Sequence, residues 1–368
     1  MFLLILTGAS IVSLVVWIYL ALFHGWFWRA LDESAPVGEA PARRVAVVIP
    51  ARNEAETIAR SARSLARQDY AGELRIFVVD DHSTDGTANQ ARSISGVTVV
   101  AADALPSGWT GKMWAVSQGL KHALAMAPDY VLLTDADIEH AGDSVRALVS
   151  RAERDHLDLA SFMVRLRNTT LAERAMIPAF VLFFFKLYPP SRASGAAGGC
   201  MLVRASALER IGGVDRIRGE IIDDCALARE IKRSGGRLWL GLTTRTHSLR
   251  SYGGFGDIAR MISRTAFTQL GHSALMLAGT VAGMLLIYAV PPVAALCGIW
   301  FGIAAWLIMA ALYAPMLRFY GQSIAWAPLL PLTALCYTGA TIQSAVRYWM
   351  GRGGSWKGRI QDVRPPLI

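Results

Sequence analysis

The chain has 368 residues, of which 53% are hydrophobic, and its formal charge is +9 with a mean hydropathy of +0.35. The apolar residues gather at residues 2–23 and over most of 273–346, which excludes an ordinary water-soluble protein and leaves a membrane protein with one aqueous domain. The positive charge calls for no nucleic-acid partner, because the basic residues lie beside the membrane segments and a candidate phosphate site. Cys200, Cys225, Cys297 and Cys336 lack metal-ligand spacing and are expected as free thiols.

Residues Phe2–Phe23 are long enough to cross a hydrocarbon layer. With no basic n-region and no small-residue cleavage site before Trp28, the segment reads as a signal anchor rather than a cleaved signal. Trp26, Trp28 and Arg29 suit an interfacial belt, and Arg29, Arg43 and Arg44 place the polar domain on the cytoplasmic side. The expected divisions are an anchor over 1–28, a linker over 29–44, a domain over 45–270, a membrane region over 271–348 and a basic tail over 349–368.

Val45–Ile49 is a buried strand that ends at Pro50 and leads into Arg52-Asn53-Glu54, after which Ile58, Ala62 and Leu65 mark one face of a helix. Leu74–Val79 is a second strand, stopped by Asp80-Asp81-His82-Ser83-Thr84-Asp85, and Val97–Val100 is a third. This rhythm predicts an α/β domain with parallel strands and a site beyond their carboxyl ends. Gly108-Trp-Thr-Gly-Lys112 opens a helix over 113–124 and reads either as an anion-holding turn or as an ordinary one. Val131–Leu133 then stops at Asp135-Ala136-Asp137, whose spacing aims two carboxylates at one face. Two solvated turn carboxylates share that pattern, but the strand-end position favours a Mg²⁺ or Mn²⁺ site, where a cation offsets repulsion and desolvation.

Leu159–Val164 is a further strand, and the phenylalanine-rich stretch 176–190 is too short to span. It reads as core or as an interfacial patch at a lipid entrance. The turn Ser194–Cys200 allows close backbone approach of a ligand, or is simply tight. Asp223 and Asp224 begin a helix over 225–234, as caps or as chemistry. Arg260 and Arg264 share a helix face and suit a diphosphate or anionic headgroups. Apolar stretches at 273–290, 292–313 and 324–346 follow, the first two divided by Pro291-Pro292. Three crossings would put the basic tail opposite the domain, against the charge bias, so one stretch is expected to be irregular; the candidate carries Pro328 and Pro331. The tail 351–359 is expected at the headgroups.

Val47–Glu54, Val78–Thr87, Thr134–Asp137 and Ile222–Asp224 stand in the order and spacing of family 2 glycosyltransferases, over most of 45–270. The anchor, the Gly108–Lys112 turn, the apolar C-terminal third and the Arg352–Arg359 tail resemble the hopene-associated glycosyltransferases of hopanoid biosynthesis; ceramide glucosyltransferases are a less exact likeness. The resemblance implies a GT-A fold, a nucleotide-sugar donor (a UDP-sugar), Mg²⁺ or Mn²⁺, a lipid acceptor such as a hopanoid, and a multi-pass bacterial inner-membrane protein. By the same resemblance, Pro50, Arg52, Glu54, Asp80, Asp81 and Lys112 contact the donor. Asp135 and Asp137 serve metal and sugar diphosphate, Asp224 is the catalytic base and Asp223 stands beside it. Met261-Ile-Ser-Arg264-Thr265 keeps only the arginine of a motif that relatives end in Arg-Trp. His247 reads as a third metal ligand, a phosphate contact or a structural histidine. A processive polysaccharide synthase is the competing enzyme, and a silent membrane scaffold the competing non-enzyme.

Overall fold

A computed structural model of the chain describes residues 1–36, 38–192, 195–357 and 359–362. Ser194, at the head of the glycine-rich turn, and the end of the tail after Asp362 lie outside the described residues. The chain opens with α1 (Phe2–Leu22). An alternating domain follows: β1 (Val45–Ala51), α2 (Ile58–Ala66), β2 (Leu74–Asp80), α3 (Thr87–Arg92), β3 (Val97–Ala101), α4 (Gly111–Leu124) and β4 (Tyr130–Thr134). Its second half comprises β5 (Ile138–Glu139), α5 (Ser144–Arg154), β6 (Leu159–Arg165), α6 (Leu171–Leu187), β7 (Cys200–Arg204), α7 (Ala205–Ile211), α8 (Asp223–Arg233), β8 (Leu238–Ser248), α9 (Phe255–Ser263) and α10 (Ala266–Gln269).

These strands form one sheet in the order β3-β2-β1-β4-β7-β6-β8-β5. The β3-β2-β1-β4 half is parallel, as the sequence rhythm requires, whereas β7 runs antiparallel to both β4 and β6. Every residue of β1 and β4 is buried, because helices cover both faces, and that is why these strands spell unbroken apolar runs. Gly119 lets α4 lie close to the sheet: a Cβ there would stand 2.4 Å from Val48 Cγ1 and 2.8 Å from Val79 Cγ2. That approach brings the first turn of α4, with Lys112, to the strand ends.

The apolar C-terminal third holds α11 (Ala274–Met284), a π-helical turn over 285–289, α12 (Val290–Leu296), α13 (Trp300–Phe319) and α14 (Leu330–Trp349). Among the described residues, four helical segments are long and apolar enough to cross a membrane: Phe2–Leu22, Ala274–Leu296, Trp300–Phe319 and Ile324–Trp349. Pro291-Pro292 does not divide the first two C-terminal stretches; the break falls at Cys297–Ile299, where Gly298 has φ +76°. Pro291 cannot donate to the carbonyl of Ile287 four residues back, and the indole N–H of Trp17 in α1 donates to it instead, at 2.7 Å. The π turn and this bond carry the helix through the prolines.

Residues 176–187 of the phenylalanine-rich stretch belong to α6, which forms the seam between the domain and the long apolar helices: Met176, Ile177, Leu182 and Phe185 are buried with Trp17, Met309 and Tyr337 in one cluster. Pro178 frees the carbonyl of Arg174, which accepts from Gln322 Nε2 at 3.1 Å, and the next two carbonyls accept from Thr333 Oγ1 and Tyr337 Oη. α14 therefore lies along the domain, from Thr333 beside α6 to Ser344 and Arg347, whose side chains bond the Phe267 amide and Ser263.

Glu173 closes the N-terminus of α6 and is fully buried. Its carboxylate accepts from the amides of Thr169, Thr170 and Tyr252 at 2.8–2.9 Å. Burial alone would raise its pKa, but these bonds outweigh it and hold the group below the ordinary glutamate value. Glu173→Gln turns an amide toward groups that can only donate, and is expected to cost about 3 kcal/mol, read as thermal unfolding in detergent. Because the folded pKa is depressed, that stability is present above the unfolded value and is lost as pH falls through the folded one.

Candidate active site

The carboxyl ends of β1, β2 and β4 present Pro50, Asp80 and Thr134, and the loops beyond them carry Arg52–Glu54, Asp81 and Asp135–Asp137. Of these, Pro50, Glu54, Asp135 and Asp137 line an open cleft together with Lys112, Arg250 and Arg264.

The two loops that follow β1 and β2 are fastened to each other. Asn53 and His82 both hold left-handed backbone, with φ +50° and +53°. The Asn53 amide donates to Ser83 Oγ, the Thr84 amide donates back to Asn53 Oδ1, and the Glu54 amide donates to Thr87 Oγ1. Arg52 reaches the carbonyl and carboxylate of the buried Asp81, at 2.5 and 3.6 Å. Asp80 Oδ1 is buried with no hydrogen-bond partner among the described residues.

Across the cleft, cations and carboxylates alternate. Arg250 bonds Asp137 Oδ2 at 3.1 Å and lies 3.5 Å from Glu54 Oε1. Lys112 Nζ sits 2.9 Å from Asp135 and 3.0 Å from Asp223. Burial pushes Asp137 up to about 6, with the charge of Asp135 adding to the rise and Arg250 opposing it. Desolvation would lower Lys112, but Asp135, Asp223 and Asp224 hold it well above the ordinary lysine value.

Asp224 occupies the first turn of α8, where the helix dipole favours a carboxylate. It does not cap the helix through a later amide: Oδ2 accepts from the Gly198 amide at 2.8 Å, and Oδ1 from the adjacent Cys225 amide at 2.7 Å. Burial and the neighbouring Asp223 charge raise it to about 6, against Lys112. The Tyr188 hydroxyl, just past α6, bonds Gln269 at 3.0 Å and lies within electrostatic reach of Cys225 and Asp224. Asp224 does not itself line the cleft; it follows the cleft-lining Asp223, and its charge reaches Lys112 on one side and Tyr188 on the other.

Two expectations need correction. His247 pairs with Glu139 across β8 and β5, and its charged neighbours are Glu139, Arg165 and Arg60, so it does not join Asp135 and Asp137; Arg250 reaches Asp137 instead. Arg260 and Arg264 do not act as a pair: Arg260 is exposed on Asp257, three residues earlier, whereas Arg264 alone lines the cleft. The Arg264 Nε is buried without a hydrogen-bond partner among the described residues. Arg250 was visible in sequence only as one of several basic residues after the last strand.

A divalent cation fits this donor set through two protein oxygens. Among the described residues no three His, Cys, Asp or Glu side chains form a cation cage. Asp135 and Asp137 both line the cleft, and the raised pKa of Asp137 reports an anion that more positive charge would stabilise. Mg²⁺ characteristically takes one or two carboxylates and completes its shell with phosphate and water.

Residues 46–212 match the family model described as Glycosyl transferase family 2. The 4,4'-diaponeurosporenoate glycosyltransferase of Staphylococcus aureus strain MRSA252 is 33% identical over 110 residues, which are 30% of this chain and 28% of that protein. The chain therefore spans less than a third of the length of this curated relative. The mannosyltransferase PcManGT from Pyrobaculum calidifontis, solved in complex with GDP-Man and Mn²⁺, superposes with a TM-score of 0.54 at 20% identity, over 93% of this chain and 98% of that one. Residues 46–212 thus match a glycosyl transferase family 2 domain, and the chain has the GT-A fold.

Proposed function

We propose that the protein transfers a sugar from a nucleotide-sugar donor to a lipid acceptor at the membrane surface, by inverting single displacement. The observation that carries this reading is the position of Asp224, a desolvated carboxylate one residue after the cleft-lining Asp223 and within electrostatic reach of Lys112 and of Tyr188 just past α6. The donor is a UDP-sugar by the motif resemblance, with GDP-mannose as the rival suggested by the PcManGT complex. The acceptor class is a polyprenoid-derived lipid, with a hopanoid favoured by the tail and turn motifs; the Staphylococcus relative is named for 4,4'-diaponeurosporenoate.

Arg52, Asp80 and Asp81 hold the nucleotide end, with Pro50 and Glu54 along the cleft floor. Asp137 and Asp135 would hold Mg²⁺ or Mn²⁺, which when bound supplies Lewis-acid stabilisation of the leaving diphosphate. Arg264 and Lys112 add positive charge where the sugar–phosphate bond breaks. Asp224 takes the proton of the acceptor hydroxyl as its oxygen attacks the anomeric carbon, while Asp223 keeps Lys112 in place.

The protein is proposed to be a multi-pass protein of the bacterial inner membrane with its domain in the cytoplasm. Lys357 in the tail touches the domain's own Asn53 and Glu54, so tail and domain share one side of the membrane rather than the tail spreading over headgroups. Crossings by 274–296 and 300–319, with α14 lying along the domain, satisfy that constraint.

Purified protein incubated with UDP-sugars or GDP-mannose and with hopanoid alcohols, diaponeurosporenoate, ceramide or diacylglycerol is expected to yield one sugar on an extractable polyprenoid lipid. Chelation should abolish the product, and Mg²⁺ or Mn²⁺ should restore it. Growth of a polymer would instead establish the polysaccharide synthase.

A further inference from the structure

The C-terminal tail forms a hairpin, β9 (Gly353–Trp356) paired antiparallel with β10 (Arg359–Asp362). Its turn presents Lys357, in left-handed backbone at φ +46°. More than 300 residues from the loop in sequence, this lysine meets it through three bonds. Lys357 Nζ lies 2.7 Å from Glu54 Oε1 and donates to the Asn53 carbonyl at 3.1 Å, while Arg52 Nε donates to the Lys357 carbonyl at 3.5 Å. The lysine side chain is only 23% exposed and the glutamate 14%, so the pair is not a solvated surface contact.

The contact matters because of what Glu54 also touches. Its Oε1 is shared with Arg250, the partner of Asp137, so the tail lysine is the outer member of a charge row that runs Lys357, Glu54, Arg250, Asp137. Without Lys357, Glu54 would draw fully on Arg250 and compete with Asp137 for it. The two bonds to Asn53 and from Arg52 also fix a loop whose left-handed Asn53 has an intrinsic tendency to relax.

We propose that the C-terminal hairpin is part of the donor site, with Lys357 as a positioning residue that holds Arg52–Glu54 in the geometry that binds the nucleotide sugar. The inference rests on the donor reading given above. A tail that served only as a membrane tether would leave donor affinity untouched, and a loop that was fully formed by its own bonds to Ser83 and Thr87 would do the same.

The test uses the full-length protein in detergent, with UDP and the active nucleotide sugar as probes. Lys357→Ala is expected to raise donor KM and the UDP dissociation constant about tenfold while kcat stays within about twofold, the loss of one charge-assisted contact. Lys357→Arg should recover most of that loss. In a Glu54→Gln background the Lys357→Ala effect should shrink several-fold, because the partner charge is already gone and only the bond to the Asn53 carbonyl is left to lose. Unchanged UDP affinity in Lys357→Ala, with wild type binding normally, overturns this inference alone. Wild type that binds neither UDP nor GDP overturns the donor reading and this inference with it. An equal Lys357→Ala loss in the Glu54→Gln background also overturns it, since the lysine would then act elsewhere.

Discussion

Asp224→Asn is expected to lower kcat for sugar transfer by a factor of about 10² to 10⁴, the usual worth of a general base, while donor KM changes only a few-fold. The substitution keeps the side chain's size and one oxygen for the amides of Gly198 or Cys225, so the loop it anchors stays close to its place. What disappears is the carboxylate assigned to accept the proton. In wild type, burial and Asp223 favour the neutral acid, so the carboxylate becomes a base as pH rises through about 6. The kcat profile should therefore climb on its acid side, and the variant should lose the part of that limb due to Asp224, leaving the contribution of Asp137, which shares a raised value. Stability runs the other way. An acid whose folded pKa is raised above its unfolded 3.8 penalises the folded state above the raised value, and the penalty is absent below the unfolded one. Asp224→Asn should accordingly melt no lower than wild type at pH 8. A loss of UDP-sugar affinity as large as the loss of rate would instead make Asp224 a binding residue.

The parts of this site that could be read in advance are those fixed by the path of the backbone. β1 and β4 are covered on both faces, so they appear as unbroken apolar runs, and polar residues can begin only where the strands end. Arg52, Asp81, Asp135 and Asp137 all follow such an end. Partner choice was not legible, because it depends on which loops the sheet brings together. β8 pairs with β5 through His247 and Glu139, and this register commits the histidine to Glu139 and leaves Arg250, beyond the strand end, to meet Asp137. Arg260 and Arg264 have helical spacing in sequence, but Asp257 lies three residues before Arg260 and captures it. Pro291-Pro292 looked like a break because the remedy, the indole of Trp17, is contributed by a helix 270 residues away in sequence. The contact of Lys357 with Glu54 is of the same kind.

Lys112 carries the second large effect, and it couples stability to chemistry. Asp135 and Asp223 both lie on its ammonium, and Asp224 feels its charge. Lys112→Met keeps the length of the side chain but leaves three carboxylates in a largely desolvated corner without their common cation. The Lys112, Asp135 and Asp223 side chains keep 15–36% of their surface exposed, so losing the shared cation should cost about 1 to 3 kcal/mol, and the variant should melt below wild type at pH 7.5. Because the lysine's folded pKa is raised, its contribution is complete below the unfolded value of 10.5 and is lost only as pH passes the folded value; neutral pH shows all of it. Lowering pH to 4.5 protonates Asp224, whose carboxyl is already raised to about 6 and rises further once the cation is gone, and the melting deficit should narrow. The same rise would move the acid limb of the remaining transfer activity to higher pH, since Lys112 is the group that holds Asp224 down. Combining Lys112→Met with Asp135→Asn should restore part of the stability by removing one unpaired charge, yet no activity, because the donor diphosphate would meet neither the lysine nor an intact pair of metal-binding carboxylates. A deficit that stayed the same at pH 4.5 would mean that Lys112 stabilises the fold by packing, and that its charge has no part in setting the base.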